Sequence, residues 1–311
     1  MIIPMLSPAP FPRRINVEVT NHCNQRCTLC PRQEFTRPLG FMTRDVFERL
    51  ARECAEHATK LWLHFLGEPL LHKDLADMVR FAKDVGVQEV GLSTNGVTLE
   101  SALAEALLTS GLDRLECSVD ANDPEGYRAM RGTDDFERVT RNVRAFLIRK
   151  RELGREHPIT SIQFMRTPAV EATLDALVDA WRPFLGPRDF AMTIVPVSFG
   201  GAIDVPALPA PPRPPCPWLF SSLMVLQDGT VTMCGTDWDA RAPLGHLRDQ
   251  TLAAIWQGEI LARRRQAHRD GQFGAVAICG GCEDWRLADG HGYQNVLDTS
   301  GPASGDPDGP A

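Results

Sequence analysis

Apolar and polar positions in the first two-thirds of the chain follow two alternating rhythms. Strand-like runs at Ile15–Thr20, Leu61–Leu66, Glu89–Ser93, Arg114–Val119, Ile159–Arg166 and Phe190–Val197 predict six strands. Between them, helical spacing at Thr43–His57, Lys73–Val85, Leu99–Ser110, Asp135–Leu153 and Val170–Phe184 predicts five helices. Gly86, Gly111 and Gly154 stand just past three of these, where a helix end favours a left-handed residue. Strict alternation implies parallel strands joined by right-handed crossovers. The fold class is therefore α/β, a partial (β/α)6 barrel. In such barrels function gathers at the C-terminal ends of the strands.

The rhythm breaks at 204–215, a Pro-rich linker that cannot continue a helix. Beyond it, Leu223–Gln227 and Thr230–Cys234 read as a hairpin around Asp228-Gly229, a pair suited to a type I′ turn. Leu252–His268 reads as one amphipathic helix. The expected organisation is an N-terminal extension at 1–14, the barrel at 15–203, the linker at 204–215, a small domain of hairpin plus helix at 216–297, and a disordered tail at 298–311.

Length and composition are those of a globular protein: 311 residues, 43% hydrophobic and 23% charged. The net charge of -7 argues against nucleic acid or an anionic membrane held mainly by charge. Asp298, Asp306 and Asp308, in the expected tail, supply three of those charges. No apolar run approaches the roughly 18 residues of a membrane-spanning helix. The start is short and Pro-interrupted, and its basic pair Arg13-Arg14 follows the apolar part, unlike an export signal. A cytoplasmic location is the expectation.

In a reducing compartment the clustered cysteines among the nine read as metal ligands rather than disulfides. Cys23, Cys27 and Cys30 form C-x3-C-x2-C in the loop after the first strand. Cys216, Cys234, Cys279 and Cys282 form a second group, and Cys54 and Cys117 are left over. Three thiolates on an iron–sulfur cluster leave one iron open, whereas four close it. A zinc knuckle and a zinc-ribbon-like site are the alternative readings of the two groups.

Several strand ends agree with the first group. The second strand runs into Leu66-Gly67-Glu68-Pro69, the third into Ser93-Thr94-Asn95-Gly96, and the fourth into Cys117-Ser118-Val119-Asp120-Ala121. Tyr127-Arg128-Ala129-Met130-Arg131-Gly132 follows. With the C-x3-C-x2-C loop, these resemble the radical S-adenosylmethionine (SAM) superfamily across roughly residues 15–200. The resemblance implies that Cys23, Cys27 and Cys30 hold a [4Fe-4S] cluster whose open iron chelates SAM. It also implies SAM contacts from Gly67, Glu68, Pro69, Ser93, Asn95, Ser118, Asp120 and Arg131. Leu66 departs from the usual glycine, and Leu29 from the usual aromatic before the third cysteine.

The C-x12-G-x4-C spacing from Cys216 through Gly229 to Cys234, closed by Cys279-Gly280-Gly281-Cys282, resembles the SPASM and twitch domains. That resemblance implies an auxiliary [4Fe-4S] cluster with four protein ligands. The layout is similar to the aminoglycoside-pathway dehydrogenases acting on 2-deoxy-scyllo-inosamine. It implies two-electron oxidation of an alcohol carbon in a small polar aminosugar or cyclitol, with the electron passing to the auxiliary cluster. A small-molecule substrate and an external reductant such as flavodoxin or ferredoxin are the implied partners.

Such chemistry needs a proton acceptor. Asp237 and Asp239 are the first candidates, since they follow Cys234, with Glu283 and Asp284 beside the last ligand pair. Glu18 alternates with Asn16 and Thr20 on one face of the first strand. A radical epimerase is an alternative that needs a thiol donor. Cys117 is the candidate for it, although alternation points it toward the helices; Cys54 reads as core. A peptide maturase is the other alternative, and the 14 residues before the first strand leave no room for a peptide-recognition domain. Trp218, Trp238 and Trp285 are expected to shield the second cluster, with Trp238 a candidate sugar contact. Arg263-Arg264-Arg265 is expected to be a solvated face.

Overall fold

The computed structural model describes residues 7–206, 212–287 and 293–298. Its strands are β1 (Arg14–Val17), β2 (Lys60–Trp62), β3 (Val90–Thr94), β4 (Arg114–Ser118), β5 (Ile159–Met165), β6 (Phe190–Ile194), β7 (Ser222–Val225), β8 (Thr230–Thr232), β9 (Gly245–His246) and β10 (Tyr293–Asp298). Its helices are α1 (Arg44–Glu56), α2 (Leu75–Asp84), α3 (Ser101–Leu108), α4 (Pro124–Arg131), α5 (Phe136–Glu152), α6 (Pro168–Ala172), α7 (Leu174–Trp181), α8 (Trp218–Ser221), α9 (Leu252–Trp256) and α10 (Glu259–Arg269).

All the strands join one sheet in the order β10-β6-β5-β4-β3-β2-β1-β7-β8-β9. β1 to β6 run parallel in sequence order, as the alternating rhythm requires. β7 adds parallel to β1, and β10 closes the far side antiparallel to β6. One cavity touches residues on or just beyond each strand from β1 to β7, which only a curled sheet allows. Alternate residues divide between the two faces. Ile15, Val17, Leu61, Leu92, Leu115, Cys117 and Ile162 pack in the hydrophobic core. Asn16, Ser93, Glu116, Ser118 and Gln163 line the interior. Below them Trp62 fills the barrel floor, its ring 3.1 Å from where a Cβ on Gly91 would sit.

Several sequence expectations change. The helix expected at Leu252–His268 is two, because Gly258 is extended (φ -68°, ψ 156°) and starts α10. The helix expected at Val170–Phe184 is likewise broken at Thr173 into α6 and α7. The turn at Asp228-Gly229 is not type I′. Only Gly229 is left-handed (φ 93°), and its N–H donates to Leu226 O at 2.9 Å. This is the three-residue hairpin in which glycine follows a tight turn. Arg265 is buried, donating to Leu219 O and Trp256 O, and Arg264 donates to Ala242 O, so only Arg263 of that triplet is solvated. Strand β10 was not expected: it takes in Asp298, placed by the sequence in a disordered tail. The other tail positions, 299–311, lie outside the described residues, as do 207–211 of the linker and 1–6 of the N-terminal extension.

Candidate active site

The cysteine loop leaves β1 through Glu18-Val19-Thr20 and is zipped onto the end of α4. The N–H groups of Arg26 and Thr28 donate to the carbonyls of Arg131 (3.2 Å) and Met130 (3.0 Å). Gly132 ends that helix left-handed (φ 69°), and a Cβ there would lie 2.6 Å from Arg26 O. The Tyr127–Gly132 motif is thus the seat of the loop; Gln25 also donates to the Tyr127 hydroxyl at 2.5 Å.

Two connected chambers open at this end of the barrel and share Leu29, His64, Phe65, Leu66, Ser93, Ser118, Met165 and Phe199. The smaller, about 170 Å³, is bordered by Cys23, Cys27, Cys30, Gly67, Glu68, Asn95, Asp120 and Arg131. Ser93 and Ser118 sit where it joins the larger chamber. Of the residues expected to contact SAM, only Pro69 is absent from these walls; it begins a short 3-10 turn, Pro69–Leu71, behind them. Gly67 passes so close to the segment after β1 that a Cβ would lie 1.9 Å from Thr20 O. Glu68 is buried and accepts from Leu70 N (3.0 Å), Thr94 Oγ1 (2.7 Å) and Asn95 N (2.7 Å). Burial pushes its carboxyl up against these bonds. The carboxylate pins the end of β2 to the end of β3. Asn95 reaches back to Asn24 Oδ1 at 2.7 Å. Asp120 is left-handed (φ 61°), pairs with Arg131 and accepts from Met165 N at 2.5 Å. Arg131 also points Nη1 at Cys27 Sγ, 3.6 Å away.

The larger chamber, about 240 Å³, runs from these shared walls to Cys234, Gly235 and Thr236. Of the aromatic residues expected near the second cluster, Trp218 borders it. Trp238 instead donates to Phe199 O (3.3 Å) and packs on Phe35. Trp285 is buried beside Arg286.

The donor sets suit iron–sulfur clusters. Burial first, then neighbouring thiols, raises Cys216 and Cys279 to about 12; Cys234 and Cys282 also rise. Burial raises Cys23 to about 11 and Cys30 to about 12. Buried thiols that hinder one another's ionisation are relieved by metal, which stabilises the thiolate. Arg213 and Arg264 lie within electrostatic reach of Cys279. Among the described residues, no set of three or more His, Cys, Asp or Glu is placed to hold a single metal ion.

The expected proton acceptors do not reach the chambers. Glu18 is fully buried, held by Arg37 through both carboxylate oxygens (2.5 and 2.6 Å). Asp237 folds back on its own loop, accepting from Arg241 N and Ala242 N. Asp239 accepts from Thr36 N (2.9 Å) and Thr36 Oγ1 (2.6 Å). Asp284 holds the chain after β6 through Ser198 N and Gly200 N, and Glu283 is an exposed partner of Arg286. Cys117 faces the helices, fully buried in the core, as does Cys54 on α1. In Cys117 the parity of β4 overrides the donor role, because Glu116 and Ser118 take the interior positions. The sequence reading passed over Glu116 and His64, the carboxylate and imidazole that do border the larger chamber. Period-two alternation on β4 was the available signal for Glu116.

Comparisons with known proteins agree with this geometry. Residues 17–152 match the Radical SAM superfamily, and residues 216–283 match the SPASM iron-sulfur cluster-binding domain. The chain is similar to a probable GTP 3',8-cyclase of Methanocaldococcus jannaschii, at 32% identity over 42% of this chain and 44% of the relative. It is similar to a GTP 3',8-cyclase of Chlorobaculum tepidum, at 35% identity over 41% of this chain and 38% of the relative. The matches thus span under half the length of these curated relatives. Among solved structures, BtrN in complex with AdoMet and 2-DOIA superposes with a TM-score of 0.61 at 19% identity, covering 87% of this chain and 92% of that one. Streptococcus suis SuiB bound to precursor peptide SuiA gives 0.69 at 12% identity, covering 89% and 72%. These two likenesses concern the fold. The radical SAM domain takes SAM and a [4Fe-4S] cluster, and the SPASM domain takes a further iron–sulfur cluster.

Proposed function

We propose that this chain, a radical SAM enzyme with an auxiliary-cluster domain, oxidises an alcohol carbon of a small polar aminosugar or cyclitol by two electrons. One observation carries the reading: the larger chamber shares its walls with the cysteine-loop chamber at one end and reaches the auxiliary ligand Cys234 at the other. When bound, SAM and the clusters supply a 5′-deoxyadenosyl radical and an acceptor for the substrate's electron. The protein's part is to hold the substrate between them, exclude water and take up a proton. Asn16, Ser118, Gln163 and Ser222 offer hydrogen bonds to hydroxyls among apolar walls, the composition of a small-ligand site. We assign the barrel to 15–203 and the auxiliary domain to 216–297, joined by 204–215, with a flavodoxin or ferredoxin as reductant.

Cys54 and Cys117 lie in the core, which favours oxidation over epimerisation by a thiol donor. The name of the curated relatives is not carried over, since the matches span less than half of each chain. The test is anaerobic turnover of aminocyclitols and hexoses with SAM and reductant, read by mass. A product lighter by two hydrogens, formed with 5′-deoxyadenosine, is expected. Unchanged mass with solvent deuterium incorporated would mean epimerisation and overturn the reading.

A further inference from the structure

We propose that the carboxylate of Glu116 takes the hydroxyl proton of the substrate, with Gln163 and Ser118 holding it in line. This rests on the alcohol-oxidation reading above. Among the described residues bordering the larger chamber, Glu116 carries the only carboxylate. It stands at the middle of β4, 5% exposed, on the interior face. Gln163 Nε2 donates to Glu116 Oε2 at 2.7 Å, while Ser118 Oγ donates to Gln163 Oε1 at 3.2 Å. In this arrangement the amide nitrogen of Gln163 faces the acid and its oxygen faces the Ser118 hydroxyl.

The surroundings tune that carboxyl to its task. Burial pushes it up to about 8, against the pull of Arg14, the Gln163 bond and Arg114. A general base works best when its pKa lies near the operating pH. Arg14 on β1 and Arg114 on β4 are the charges facing it, and His64 past β2 is the other titratable group. On β3 and β5, its paired residues Ser93 and Ser161 are uncharged. His64 is held neutral, pushed down to about 4 by burial and by Arg14. Its Nδ1 is buried without a hydrogen-bond partner. The imidazole is thus available to orient a hydroxyl without competing for the proton. The balance closes. The alcohol carbon loses its hydrogen atom to the 5′-deoxyadenosyl radical, its hydroxyl proton to Glu116 and one electron to the auxiliary cluster. The C–H and O–H bonds break as the C=O forms.

The experiment uses the reconstituted holoenzyme with SAM, reductant and three probes: 2-deoxy-scyllo-inosamine, scyllo-inositol and glucosamine. Glu116→Gln should retain both clusters, while ketone formation falls ~100-fold or more. The wild-type rate should climb with pH through an apparent pKa near 8, and Glu116→Asp should restore part of it with a displaced profile. A second readout needs no substrate. A carboxyl raised in the fold stabilises fully below its unfolded value near 4.5, and that stability is lost as pH rises through about 8. The wild-type melting temperature should therefore fall from pH 5 to pH 9 more steeply than that of Glu116→Gln. Equal slopes overturn the proposal whatever the substrate. Ketone formed by Glu116→Gln at the wild-type rate overturns it while leaving the oxidation reading intact. If the wild type makes 5′-deoxyadenosine but no ketone from any probe, the oxidation reading falls and the proposal with it.

Discussion

At Gly67 the site depends on the absence of one methyl group. Its hydrogen faces the Thr20 carbonyl where a Cβ would sit at 1.9 Å, so β2 can end directly against the start of the cysteine loop. Gly67→Ala must push these two segments apart. Misplacement by about 1 Å can cost ~100-fold in rate. A loss of that order in 5′-deoxyadenosine formation is expected, measured without substrate, with iron bound to the second set retained. The residues at this end were legible because their chemistry requires particular types in fixed order: cysteines to ligate, a glycine for close approach. Roles were less legible than positions. Glu68 reads as a ligand contact, yet its carboxylate is consumed by Leu70, Thr94 and Asn95. Asp237 and Asp239 look well placed beside Cys234, but both are taken up by backbone amides. A sequence shows where an acid stands along the chain, not which donors surround it. Glu116 is the converse case, since a single acid in an alternating strand carries no motif.

Between elements, the clasp made by Arg37 links the segment after the cysteine loop to the loop after Cys234. Arg37 binds Glu18, donates to Trp238 O at 2.8 Å and lies over Phe35, 4.2 Å from its ring centroid. Glu18 is fully buried, so removing its partner strands a carboxylate or forces its protonation. Breaking a buried pair from one side costs about 3–5 kcal/mol. Arg37→Ala should lose stability of that order in urea unfolding, and Glu18→Gln combined with Arg37→Met should lose less. The strands followed the hydrophobic rhythm closely through β6, but α4 (Pro124–Arg131) was not among the helices it predicted. The rhythm also failed where backbone geometry interrupts an unbroken apolar period, at Thr173 and Gly258. It also missed β10, whose Tyr293–Asp298 sequence shows no alternation and shifts register between Asn295 and Leu297.

Across the whole molecule, the proposed function divides the iron and the chemistry between the two cysteine sets. Two four-iron clusters correspond to about eight irons per chain. Cys279→Ser should lower this to about four while SAM cleavage persists and ketone formation stops. Iron analysis and 5′-deoxyadenosine yield measure both effects. If the variant keeps making ketone, the second set is not the electron acceptor. Among the described residues, no helix is long and apolar enough to cross a membrane.

The pairing of β7 alongside β1 has a consequence for electron flow. The cysteine loop issues from β1, and Cys234 follows the hairpin that begins with β7. These two strands are hydrogen-bonded neighbours from Arg14↔Ser222 to Val17↔Val225. Adjacent strands keep a spacing of about 4.8 Å. If Cys23, Cys27, Cys30 and Cys234 ligate the clusters as proposed, sheet geometry and not a hinge sets the approach of the two loops that carry them. Variation in the electron step among mutants should then track cluster potential, while the distance stays constant.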